Sequence, residues 1–122
     1  DYYNINGIAY IPVSTLTKVA NSIEYWGLYA KFNSYDKTLD FRSGVDGTSL
    51  YNFKRLFTVN RCEAYSSDPY MNDVDYKEKI IYDYPPKIID DHFCIPARTL
   101  ANPWSIEYDA NTKELTIIVQ TA

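Results

Sequence analysis

A chain of 122 residues, 46% of them hydrophobic and 23% charged, has room for one globular domain with its own core. Its net charge of −4, with Lys54-Arg55 as the only adjacent basic pair, excludes the clustered basic face that nucleic acid or an anionic membrane surface requires. No apolar run approaches the roughly 18 residues of a membrane span, and without an initiating Met or a leader-like stretch the chain reads as a mature or excised piece.

In chain order, Tyr3 to Ile11 reads as a strand pair turning at Asn6-Gly7, two residues that tolerate the positive φ of a type I′ turn. Pro12 ends the second strand, because it has no N–H to give a ladder, and Ser14 or Thr15 is placed to cap a helix. Leu16, Val19, Ala20, Ile23 and Trp26 follow helical spacing, which predicts a main helix over about 14–26 with Gly27 as its C-terminal cap. From Gly27 the pattern alternates, and Phe32, Leu39 and Phe41 face one side of a hairpin turning at residues 33–37. Leu50 to Val59 fits strand or helix, and Arg61 to Lys79 is polar and reads as a long loop. Lys79 to Tyr84 is a strand, and Asp90-Asp91 turns into His92-Phe93-Cys94-Ile95-Pro96-Ala97-Arg98-Thr99-Leu100. A short helix over about 97–102 is interrupted by Pro103, and a last hairpin turns at residues 109–113, with Leu115, Ile117 and Val119 alternating beyond it.

The chain therefore states one unit twice: a strand ending in Ile-Pro, a helix, an extended segment, a five-residue polar turn and a closing strand. Such units pair to bury a shared apolar face. Ile95-Pro96-Ala97-Arg98-Thr99-Leu100 with Ile106 to Lys113, and Ile11-Pro12-Val13-Ser14 with Gly27 to Phe41, resemble the non-catalytic N-terminal domain of bacterial copper amine oxidases. That module also occurs in secreted and surface proteins of Gram-positive bacteria, where it is called a stalk domain.

The resemblance implies a single α+β domain over 1–122, built of half-motifs at about 4–44 and 79–119 around an inserted segment at about 45–78. It implies a twisted antiparallel sheet of about five strands wrapped around the main helix, with Pro12, Gly27, Pro96, Arg98 and Asp109 as structural motif residues. It implies an extracellular or cell-surface place, with spacing, docking or adhesion as the work and a protein or cell-wall polymer as the partner. It does not imply copper, a cofactor or catalysis: that enzyme needs three His and a cofactor tyrosine in another domain, and this chain has only His92.

Against this frame the candidate sites are few. Tyr65, Tyr70 and Tyr76 with Trp104 are the candidate ligand-binding aromatics of a carbohydrate-binding alternative, although thirteen tyrosines also fit the codon bias of an AT-rich genome. Arg98 reads as a ligand contact or as a structural ion pair with Asp109, Glu107 or a turn carbonyl. Asp90-Asp91-His92 and the loop acids Asp68, Asp73 and Asp75 lack any specific metal-ligand spacing, so no metal is expected. Cys62 and Cys94 form one disulfide or remain two thiols. A hydrolase with an acid pair is a further alternative, though no pair stands out among sixteen acids. An unpaired strand edge offers a route to a homodimer.

Overall fold

The computed structural model describes residues 2–22, 26–45, 51–67, 76–100 and 104–119. In order these form β1 (Tyr3–Ile5), β2 (Ile8–Pro12), α1 (Val13–Asn21), β3 (Trp26–Asn33), β4 (Thr38–Val45) and β5 (Tyr51–Thr58). Then come β6 (Glu63–Ser66), β7 (Glu78–Ile81), β8 (Lys87–Ile89), β9 (His92–Pro96), a single 3-10 turn (Ala97–Thr99), β10 (Trp104–Asp109) and β11 (Glu114–Val119).

The two Ile-Pro pairs meet in antiparallel register, with Tyr10 opposite Pro96, Ile11 opposite Ile95 and Pro12 opposite Cys94. That register is symmetric: exchanging the two copies maps each pair onto another, and Ile11 and Ile95 lie on a local two-fold axis. The sheet order β1-β2-β9-β8 obeys the same exchange. So do the turns, with positive φ at Asn6 and Gly7 in one copy and at Asp90 and Asp91 in the other. The second hairpins match too. Asn33 Oδ1 accepts from the Tyr35 N–H and Asp109 Oδ1 from the Asn111 N–H, each at 2.9 Å, and Lys37 and Lys113 both take the left-handed conformation that closes the turn.

The sheet arrangement overturns the expectation of about five strands wrapped around one helix. Three antiparallel sheets are present instead: β1-β2-β9-β8, β3-β4-β5-β6-β7 and the ribbon β10-β11. The segment expected as an insertion supplies the difference. Leu39 and Phe41 on β4 need cover, and β5 provides it with Phe53 and Phe57 on the same inner face. Phe41 meets Phe53 edge-on at 5.8 Å and Phe57 at 6.4 Å, geometry worth about 0.5–1.5 kcal/mol per pair beyond burial. The stretch read as a loop from Arg61 to Lys79 holds β6 and the start of β7, whereas residues 68–75 lie outside the described ones.

Helix α1 is shorter than its periodicity suggests. Leu16 and Ala20 are buried and Val19 packs against the core, as the spacing requires. The helix ends at Asn21, and Ser22 closes it by donating its N–H to Lys18 and Val19 carbonyls at 3.2 Å. Trp26 and Gly27 belong to β3, opposite Val45 and Gly44, because the long ladder with β4 claims them; Gly27 is thus no helix cap, and Ile23 lies outside the described residues. Pro12 holds the N-cap position with extended backbone, so neither Ser14 nor Thr15 caps the helix. In the second copy the expected helix over 97–102 is only the 3-10 turn, closed by the Leu100 N–H on the Ala97 carbonyl at 3.2 Å. The connection there is eight residues shorter: Leu16 to Ala30 spans 14 positions and Leu100 to Ile106 spans 6.

One core draws on both copies and on the central strands. Ile11, Leu16, Phe41, Phe53, Phe57 and Ile95 are buried together, with Ile106, Leu115 and Ile117 packed against them. A smaller cluster of Ile8, Tyr10 and Cys94 closes the opposite face of the β2–β9 pair.

Because Ile95 is fully buried on the axis, Ile95→Ala is expected to lower unfolding free energy by about 2–5 kcal/mol in urea titration. Ser14→Ala, at an exposed position that caps nothing, is expected to change it by less than about 0.5 kcal/mol.

Candidate functional site

Opposite faces of β4 and β5 carry different chemistry. One face carries the phenylalanines with Arg55, whose guanidinium lies 4.4 Å over Phe53; on the other, Asp40 and Arg42 oppose Leu56 and the buried Lys54. Arg42 donates to Asp40 through Nε at 3.0 Å and Nη2 at 2.6 Å, and its guanidinium lies 4.6 Å over the Tyr29 ring. Tyr76 donates its O–H to Asp40 Oδ1 at 2.6 Å. Burial first, and the Asp40 carboxylate next, push the Tyr76 phenol well above its ordinary range. The hydrogen bond to Asp40 likewise raises the Arg42 guanidinium. This is a charge-assisted cluster that fastens Tyr76, just before β7, to the sheet.

Of the aromatics singled out for ligand binding, Tyr65 and Tyr76 fall on that face. Tyr65, opposite Leu56 and Lys79, is half-buried, as is Tyr76. Tyr70 lies outside the described residues, and of Trp104 only the backbone is described, opposite Val119. The loop acids Asp68, Asp73 and Asp75 are also outside them. The Asp90-Asp91-His92 tip is exposed, and no group of His, Cys, Asp or Glu suited to a metal occurs among the described residues.

The cysteines are two free thiols. Cys62 is half-buried, and Cys94 lies fully buried with Sγ 3.5 Å from the His92 carbonyl. Burial, with the Asp90 charge adding, pushes the Cys94 thiol up to about 11 against an opposing hydrogen bond from the Ile89 backbone.

Arg98 is the second copy's counterpart of Ser14. The expected ion pair with Asp109 or Glu107 is not formed, since Asp109 Oδ1 is taken by the Asn111 and Thr112 amides of its own turn at 2.9 and 3.3 Å. Arg98 is exposed, with its guanidinium 5.5 Å over the Tyr84 ring, and pairs with no carboxylate among the described residues. It is also among the residues that line an open groove of about 640 Å³ between the β1–β2 hairpin and the β10–β11 ribbon. Ala9, Leu100, Ile106 and Leu115 give the groove an apolar floor, and Tyr108, half-exposed, gives it an aromatic wall. The volume falls in the range of small-molecule sites. The signal for this groove was present in the sequence as a mismatch between copies: Ala9 stands where the second copy has Phe93. No family model matches the chain, and no curated protein or solved structure does either.

Two measurements test the thiol assignment. Iodoacetamide on the native protein is expected to modify Cys62 and spare Cys94, with both modified in denaturant, as read by intact mass. An unfolded Cys titrates near 9.0, below the folded Cys94 value of about 11. The unfolded state therefore holds fewer protons across that window, and stability is expected to fall as pH rises from 9.0 to about 11. Cys94→Ser should flatten this slope in urea titrations.

Proposed function

We propose that this chain is a non-catalytic module working outside the cell or at its surface, where it docks or spaces larger neighbours by contacting protein or wall polymer. The two-fold duplication and the Ile-Pro motifs support its resemblance to the stalk domains of Gram-positive surface proteins. No helix among the described residues is long and apolar enough to cross a membrane.

The observation that carries the reading is the β10–β11 ribbon. Its counterpart in the first copy, β3–β4, is extended by β5, whereas neither edge of β10–β11 pairs with another described strand. Along β11 the run Leu115-Thr116-Ile117-Ile118 has no charge and no proline, and Ile118 is exposed. An edge of this kind accepts an extended segment of a partner, or the same edge of a second copy, by main-chain hydrogen bonding. The groove beside it gives side chains of such a segment somewhere to lie.

Co-sedimentation with isolated Gram-positive cell walls, before and after the wall proteins are stripped, tests this reading alongside sedimentation velocity of the chain alone. Wall retention or concentration-dependent dimerisation that Ile118→Lys reduces severalfold is the expected result. A chain that stays monomeric and unbound, or binds equally with Ile118→Lys, contradicts it.

A further inference from the structure

The local two-fold turns one half of the molecule into a template for the other. In the first half, Phe32 on β3 meets Phe93 on β9, with ring centroids 5.8 Å apart and planes tilted by 60°. The two-fold replaces Phe32 by Tyr108 and Phe93 by Ala9. Where Phe93 supplies a ring on one side, Ala9 supplies none on the other, and both Ala9 and Tyr108 line the groove. The change from Val13 to Ala97 takes further bulk from the same side.

A second asymmetry coincides with the first. Ser14 has Arg98 as its counterpart, so the groove that Ala9 leaves without a ring is lined by a cation. Arg98 lines the groove and has no described carboxylate to neutralise it, although the chain as a whole is acidic. Apolar space beside an aromatic wall, with Arg98 in the lining and its guanidinium resting on the Tyr84 ring, matches a ligand that brings a ring and a carboxylate.

We propose that the groove binds a small aromatic carboxylate, its ring seated on Tyr108 in the place that Phe93 occupies in the other half and its carboxylate paired with Arg98. Binding at this position needs no unpaired strand edge, so the assignment stands or falls separately from docking through β11. Affinity is modest, because the site is open and the Arg98 pair is solvent-exposed.

The test is a titration of the full chain, followed by ¹H–¹⁵N correlation spectra, with phenylacetate and with its neutral amide. Saturable shifts at Ala9, Ile106, Tyr108 and Leu115 are expected, with the acid binding about threefold more tightly than the amide. Arg98→Gln should erase that preference while leaving the amide's affinity unchanged. Ala9→Phe, which supplies the ring from within, should abolish the shifts and keep a dispersed spectrum; if it fails to fold, Ala9→Leu should do the same. Shifts that do not saturate, that map elsewhere, or that persist in the folded Ala9 variant overturn the site. Equal affinity for acid and amide overturns the role given to Arg98.

Discussion

Ile11 lies opposite Ile95 in the ladder of β2 and β9 that joins the two copies of the repeated unit. Each isoleucine is followed by a proline that ends its strand and sends the chain into a helical turn on the core side. The pairing therefore fixes more than two side chains. It sets the order of the four-stranded sheet, places α1 and the Ala97–Thr99 turn on corresponding sides of the core, and aims both long hairpins at the same apolar interior. Moving the register by one residue would turn Tyr10 and Cys94 toward that interior and Ile11 and Ile95 away from it.

Function follows from where the symmetry fails. The first hairpin is completed: a full helix precedes it, its Phe32 meets Phe93 of the second copy, and three strands extend its sheet. The second hairpin follows one helical turn, has Ala9 of the first copy where its counterpart has a ring, and pairs with no further described strand. The bare edge, the groove and Arg98 all lie beside that second hairpin. The cluster of Asp40, Arg42 and Tyr76 belongs to the sheet of the completed hairpin and reads as fastening, since its hydrogen-bonding groups are spent on one another.

The turns were legible in the residues, and the arrangement of the sheets was not. The turns at Asn6-Gly7, Asp90-Asp91 and residues 33–37 and 109–113 carry their own chemistry, because positive φ and Asx hydrogen bonds need few residue types. The stripe through Leu16 and Ala20 held for the same local reason. What escaped was decided at long range. Trp26 continues the helical spacing, yet pairing with β4 outweighs one more turn of helix. Phe53, Leu56 and Phe57 fit a helix by spacing alone, and pairing with the edge of β4 makes their segment a strand. The candidate aromatics were chosen for type, and type does not reveal that Tyr76 is held by Asp40. The groove was visible only as a difference between copies, which periodicity within a single copy does not show.

Native-state hydrogen exchange tests the shared core most directly. If the two copies are joined through Ile11 and Ile95 into one cooperative unit, the amides of Ile11, Phe41, Ile95 and Ile117 exchange through a common global opening and report one free energy across denaturant concentrations. Exchange of the first copy and the second through separate openings, with distinct free energies and distinct denaturant dependence, would contradict the account.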